Sequence, residues 1–324
     1  MLSNSMGGKM ISVVVPAYNE EKMVPKAAVA IDGVLNDAKI PHEIIFVDDG
    51  SKDTTWQGIL KASEEISGVR GVHFSRNFGK EGAILAGLAK AKGDCSVVID
   101  CDLQHPPEKI VEMYRLWEQG YEVVEGRKSD RGKESRAHSF AANTFYKIES
   151  KITGVDMANA SDFKLLDKRA VDVIINLREV NSFFRALSSW VGFKTTYIEF
   201  EVQEREEGES KWNTWSLVKY AIRNIVAFSS APMQIVTFLG VVMFIIGIVL
   251  GVIALVQKIC GVALGGFTTV IIIQLFSSSI IMISLGIIGY YIAKIYDEVK
   301  DRPKYIVSKT CSDGKEENAM LEDK

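Results

Sequence analysis

The sequence predicts an α/β protein, with a doubly wound, mostly parallel sheet that carries the chemistry and a hairpin of two long apolar helices behind it. Three observations predict this. Apolar strand-like runs alternate with helical patterns from Ile11 to Ile99, acidic loops follow three of those runs, and two long uncharged stretches begin after Pro232. Strands that alternate with helices lie parallel, and their ligands bind beyond the carboxyl ends of the strands.

The opening run Ile11-Ser12-Val13-Val14-Val15 is a buried-strand pattern ending in the loop Pro16 to Glu20. A helix follows from Glu21 to Leu35, with apolar positions at Met23, Ala27, Ala30, Ile31 and Val34. Glu43 to Val47 is the second strand, stopped by the turn Asp48-Asp49-Gly50-Ser51, after which Asp53 caps a helix to about Ile66. Val69 to Phe74, Gly79 to Ala91 and Cys95 to Ile99 read as strand, helix and strand, and a further helix opens at Pro106-Pro107, where proline suits a first turn.

Beyond Glu125 the alternation weakens. The pattern predicts a helix at Ser139 to Ile152, a strand at Asp162 to Leu166, a helix at Lys168 to Ile175 and a strand at Thr195 to Val202, then a charged loop from Gln203 to Trp212. Thr214 to Ser229 interleaves apolar residues with Lys219 and Arg223, as an interfacial helix does. Met233–Val256 and Thr268–Ile292 are each uncharged over roughly 24 residues, enough to cross a hydrocarbon core about 30 Å thick. Domains are accordingly expected at 1–213 (catalytic), 214–231 (interfacial helix), 232–293 (two spans) and 294–324, the last ending in a polar, disordered tail from Ser308.

Composition narrows the setting. Net charge is −3, which carries no nucleic-acid signature. Lys219, Arg223, Lys294, Lys300, Arg302 and Lys304 flank the outer ends of the apolar hairpin, whereas its connecting loop offers Lys258 alone; the positive-inside rule then places both termini in the cytoplasm. Met1 to Met10 lacks the apolar centre of a signal peptide, and the four cysteines, without CxxC spacing, fit a reducing compartment.

The chemistry concentrates at Asp100-Cys101-Asp102-Leu103-Gln104-His105. Two carboxylates and an amide at alternate positions suit a hard divalent cation, Mg²⁺ or Mn²⁺, whose remaining ligands are substrate phosphates, so the stretch reads as a nucleoside-diphosphate site. The competing reading is a capping loop. Cys101 points to the opposite side and is expected to pack. His105 is a soft neighbour to oxygen donors and is expected to make a backbone or substrate contact. No GxGxxG follows the first strand, which argues against a dinucleotide enzyme.

The stretches VVVPAYNE, VDDGSKDTT, SRNFGKEGAILAGL, DCDLQHPP, SDFKLLD, EREEGESKW and YIAKIYDEVKDRPKYIV, in this order, resemble the polyprenyl-phosphate glycosyltransferases. These dolichyl-phosphate mannosyltransferase-like enzymes are family 2 glycosyltransferases of GT-A fold. The resemblance implies that Pro16, Ala17, Tyr18, Glu20, Asp48, Asp49 and Lys80 form the donor pocket, Asp49 reading the base. It implies that Asp100, Asp102 and Gln104 hold the metal, and that Arg205, Ser210 and Lys211 close over the pyrophosphate. Arg127, Arg131, Arg136 and Ser139 would face the lipid phosphate. Asp162 is implied as a candidate base, against the alternative that it orients a hydroxyl or a neighbouring Arg. The implied reaction moves one sugar, with inversion, from a nucleoside-diphosphate sugar to polyprenyl phosphate. The implied setting is a multi-pass homo-oligomer in the bacterial plasma membrane. The rivals are another lipid acceptor, such as diacylglycerol, and a non-catalytic nucleotide-sugar-binding scaffold. The QxxRW signature of processive synthases is missing.

Overall fold

The computed structural model describes residues 8–128, 161–177, 184–201, 231–261 and 266–319. The helix expected at Ser139 to Ile152, the loop at Gln203 to Trp212 and the interfacial helix at Thr214 to Ser229 lie outside the described residues. So do Arg131, Arg136, Ser139, Arg205, Ser210 and Lys211.

The chain forms two compact units, one of Met1–Ser210 with Pro303–Lys324 and one of Lys211–Arg302. In the first, β1 (Ile11–Ala17), α1 (Met23–Asp37), β2 (His42–Asp48), α2 (Thr55–Glu65), β3 (Val69–Phe74), α3 (Lys80–Lys90) and β4 (Cys95–Val98) follow the expected alternation. Then come α4 (Glu108–Glu118), β5 (Val123–Lys128), β6 (Lys164–Asp167), α5 (Lys168–Ile175), α6 (Phe184–Trp190) and β7 (Thr195–Phe200). The first unit closes with β8 (Val307–Ser312) and β9 (Lys315–Asn318). Asp53 sits one residue before the N-cap of α2, and its carboxylate accepts the Thr55 amide at 3.1 Å.

Nine strands make one sheet in the order β7-β5-β6-β4-β1-β2-β3-β8-β9. The central four, β4-β1-β2-β3, are parallel, and antiparallel pairs flank them on both sides. All seven residues of β1 are buried, because helices cover both faces. One layer packs Ile31, Leu35, Ile59, Ile110 and Met113 on Val13, Val15 and Phe46, while the other sets Ile84, Leu88 and Ile174 on Val14 and Val98. Burying one such aliphatic side chain contributes about 1.5–3 kcal/mol. Cys101 is buried in the first layer and also borders the cavity that Asp100 and Asp102 line.

The tail corrects the sequence reading. Residues 308–319 are ordered: β8 adds antiparallel to β3, pairing Gly71 with Cys311, and β9 pairs with β8. A Cβ on Gly71 would lie 2.6 Å from Cys311 Sγ and from Ile59 Cγ2, so only glycine lets β8 and α2 approach together. Trp56 Nε1 donates to Glu316 at 3.1 Å, Tyr305 stacks on Phe74 with centroids 5.3 Å apart, and Lys304 Nζ donates to the Leu177 carbonyl at 2.6 Å.

In the second unit, α7 (Ala231–Ile259) and α8 (Phe267–Val299) contain segments long and apolar enough to cross a membrane, Val236–Ile259 with mean hydropathy 3.1 and Phe276–Val299 with 1.7. Among the described residues none in either segment is buried, and Phe238, Phe244, Ile259 and Met282 are exposed by more than 60 %. A Cβ at Gly240, Gly247 or Gly251 would meet nothing within 4 Å.

Candidate functional site

Four strand ends build the site. The loop after β1 is laced to the loop after β2: Asn19 N–H donates to Ser51 Oγ at 2.9 Å, Lys52 N–H to Asn19 Oδ1 at 2.9 Å, and Asp49 N–H to the Ala17 carbonyl at 2.9 Å. Asn19 adopts φ 56°, a left-handed conformation that asparagine tolerates better than most residues. The Asp49 carboxylate then reaches the third loop, accepting Phe78 N–H at 2.6 Å and Gly79 N–H at 2.9 Å. Burial pushes its pKa up, against those two amide bonds.

Gly50 makes this lacing possible. Its φ is +65°, and a Cβ there would lie 2.5 Å from the Arg76 carbonyl carbon. Gly50→Ala is expected to cost about 1–3 kcal/mol of overpacking and to raise the donor KM as the loops separate. An unchanged melting temperature with an unchanged donor KM would show that the loops have slack.

A cavity of about 300 Å³ opens between these loops, and Pro16, Ala17, Tyr18, Glu20, Asp49, Lys80, Asp100 and Asp102 line it, so the fold brings these expected site residues together. Asn77 and Gly79 join them. Asp48 does not: it is fully buried, its Oδ1 accepting Ser51 N–H at 2.9 Å and its Oδ2 facing His73 Nδ1 at 2.8 Å. It holds the loop from beneath, because the last residue of a strand alternates inward. Gln104 does not line the cavity either; its backbone N–H donates to Asp102 Oδ1 at 3.1 Å across a turn with Leu103 at φ 55°.

Lys80 is the first residue of α3, a position where the helix dipole disfavours a cation. Its partners explain it. Lys80 Nζ lies 2.6 Å from Asp100 Oδ1 and 2.8 Å from Asp162 Oδ2. Burial lowers the pKa of this amine, but the two carboxylates outweigh that and hold it well above its ordinary value. Asp162 is buried, and Arg185 grips it with Nε at 2.7 Å and an NH2 at 2.8 Å. Burial alone would raise the Asp162 pKa; the Arg185 hydrogen bonds and the Lys80 charge hold it far below the usual carboxylate range. A carboxylate so held is a poor proton acceptor, which favours the orienting alternative over the base.

Glu81 carries the opposite shift. Burial and the Asp162 charge push its carboxyl up to about 7, against the Phe184 N–H bond at 2.8 Å and the charges of Lys80 and Arg185. The folded chain therefore keeps a proton that the unfolded chain releases near its ordinary value of 4.5. Stability falls as pH climbs from 4.5 to 7. Glu81→Gln is expected to flatten that fall in thermal melts across the interval, and a variant whose melting temperature still drops as much as the wild type would refute the assignment.

Arg127, on β5, is partly exposed, with its Cζ 4.1 Å from the Tyr197 ring centre and an NH2 3.5 Å from Glu125 Oε2. His105 is buried between Phe163 and Phe200, both centroids 5.1 Å away. Sequence reasoning missed Arg185, Glu81 and the buried Lys164–Glu125 pair. Their signal is a charged residue inside an apolar pattern, as Lys164 is between Phe163 and Leu165-Leu166.

The donor set fits a hard divalent cation. Asp100 and Asp102 both present oxygen to the cavity, and Asp100 Oδ1 is buried, accepts no well-directed hydrogen bond and is faced by the Lys80 ammonium. Among the described residues no three His, Cys, Asp or Glu side chains gather, so an ion here would complete its shell with substrate oxygens and water.

Residues 12–174 match glycosyl transferase family 2. The chain is 40% identical over 301 residues to the "Uncharacterized glycosyltransferase YkcC" of Bacillus subtilis (strain 168), across 92% of this chain and 93% of that one. It is 36% identical over 301 residues to the "Prophage bactoprenol glucosyl transferase homolog" of Escherichia coli (strain K12), across 92% and 98%. Among solved structures, glucosyl-3-phosphoglycerate synthase from Mycobacterium tuberculosis, in complex with Mn²⁺, UDP-glucose and phosphoglyceric acid, superposes with a TM-score of 0.46 at 19% identity, over 68% of this chain and 78% of that one. The chain belongs to glycosyl transferase family 2. It is a glycosyltransferase, with a GT-A-type sheet and two apolar C-terminal helices.

Proposed function

We propose that the protein moves one sugar, with inversion, from a nucleoside-diphosphate sugar to polyprenyl phosphate at the cytoplasmic face of a bacterial plasma membrane. One observation carries this reading: relatives named as bactoprenol glucosyl transferases match 92% or more of this chain and 97% or more of their own length at 36% identity. The two exposed apolar helices support a membrane setting, as a multi-pass anchor with both termini cytoplasmic. Gly240, Gly247 and Gly251, which meet no neighbour within 4 Å, suit close helix approach in a homo-oligomer.

The chemistry follows from the leaving group. A nucleoside diphosphate departs with its charge, and Asp100 and Asp102 would hold the Mg²⁺ or Mn²⁺ that neutralises it. Lys80 holds Asp100 and Asp162 in place, while Arg205, Ser210 and Lys211 are proposed to close over the pyrophosphate. The acceptor phosphate is anionic at neutral pH, so guanidinium groups that orient it matter more than a strong base. Arg127 is proposed to make that contact, with Arg131, Arg136 and Ser139.

The test is to incubate membranes containing the protein with undecaprenyl phosphate and a panel of UDP- and GDP-sugars, then to identify the lipid product by mass. One lipid-monophosphate-linked sugar is expected. A product on diacylglycerol, or no lipid product with any donor, would overturn the reading.

A further inference from the structure

Between the donor cavity and Arg127 lies a buried set of charges that the proposed reaction does not use. Lys164 is fully buried, and its Nζ donates to Glu125 Oε1 at 2.8 Å, to Ser188 Oγ at 2.8 Å and to the Arg185 carbonyl at 3.3 Å. Glu125 is buried too, and its other oxygen lies 3.5 Å from an NH2 of Arg127. A lysine sealed in a sheet is costly unless paired, and removing one partner of such a pair leaves an uncompensated charge. The unequal distances decide who holds whom. Glu125 is closely bound by Lys164, and Arg127 is its loose partner, lying over Tyr197 with its Nε buried and making no hydrogen bond.

We propose that Lys164 is a positioning residue that neutralises Glu125 and so leaves the Arg127 guanidinium available to an anionic acceptor. The proposal rests on reading Arg127 as a ligand of the acceptor phosphate. Without the lysine, Glu125 would be a buried carboxylate with the Arg127 guanidinium 3.5 Å away, and it would draw Arg127 into a closed pair. Its titration agrees with this order of partners: burial pushes the Glu125 carboxyl up, and the Lys164 charge and hydrogen bond more than reverse that, ahead of Arg127. The same ammonium also donates to the Ser188 hydroxyl and the Arg185 carbonyl of α6.

The experiment uses the full chain in nanodiscs, with undecaprenyl phosphate and the donor sugar that the panel identifies. Lys164→Met is expected to raise the KM for undecaprenyl phosphate at least about tenfold, the scale of one lost charge-assisted contact, while the donor KM stays within about twofold. Adding Glu125→Gln removes the carboxylate that captures Arg127, so the double variant should return to within about threefold of the wild-type acceptor KM. A purely structural lysine would give no such rescue. The proposal is overturned if the double variant is no better than Lys164→Met, or if both substrates weaken together. Should Lys164→Met fail to fold, Glu125→Gln alone decides: its acceptor KM should be unchanged or lower, and a tenfold rise sinks the idea. Binding of undecaprenyl phosphate without donor, measured on the same variants, separates this outcome from a failure of the transfer reading, in which wild-type protein forms no lipid-linked sugar at all.

Discussion

Asp102→Ala is expected to lower kcat by about 10²- to 10³-fold, the scale for losing one main electrostatic stabiliser of a developing charge. Geometry distinguishes Asp102 from Asp100. The Asp100 Oδ1 faces the Lys80 ammonium at 2.6 Å, and Asp102 sits on the cavity wall with its Oδ1 accepting the Gln104 backbone N–H at 3.1 Å. The two variants should therefore fail differently. Asp102→Ala should lose cation-dependent nucleotide binding and keep wild-type stability. Asp100→Ala should also loosen Lys80 and, through it, Asp162. EDTA should reproduce the Asp102→Ala loss in the wild type, and both nucleotide titration and turnover read it. Full turnover in chelator would remove the metal assignment.

Much of this site was legible because local chemistry wrote it. The strands β1 to β4 announce themselves by buried apolar runs, and each acidic loop follows one of them, so Pro16 to Glu20, Asp49, Asp100 and Asp102 had to meet at one edge once the strands were parallel. What escaped was non-local or faint. Asp162 and Arg185 are 23 residues apart and join only because β6 and α6 pack together. β8 and β9 read as a polar tail because their residues are mostly polar, and of them only Cys311 is buried. The clue was present in Asp313-Gly314, with φ 51° and 72°, the pair that a tight hairpin turn requires. Asp48 was misplaced by one residue of alternation: its neighbour Asp49 binds the loop amides beside the cavity, and Asp48 faces His73 below.

Asp162→Asn is expected to destabilise the catalytic unit by about 3 kcal/mol, the lower end of the cost of breaking a buried ion pair, because water still reaches Lys80 and Arg185. The sign with pH is fixed by the depressed pKa. A carboxyl held below its ordinary 3.8 stabilises the fold at every pH above that value, and the contribution is lost only as acid approaches the folded pKa. The difference in melting temperature between wild type and Asp162→Asn should accordingly be constant through neutral pH and shrink in strong acid. Turnover should fall with it, since Lys80 loses one of its two anchors at the edge of the donor cavity. Arg185 discriminates between the two roles considered for Asp162. An orienting carboxylate works through its partners, so Arg185→Ala should reproduce most of the Asp162→Asn loss in both stability and kcat, and the double variant should be little worse than either alone. A base acts on the substrate itself. In that case Asp162→Asn would cost far more turnover than Arg185→Ala, and freeing the carboxylate from its guanidinium would raise its proton affinity and shift the acid limb of the kcat/KM profile upward in pH. Arg185→Ala enzyme with full turnover, beside inactive Asp162→Asn, would return Asp162 to the role of base.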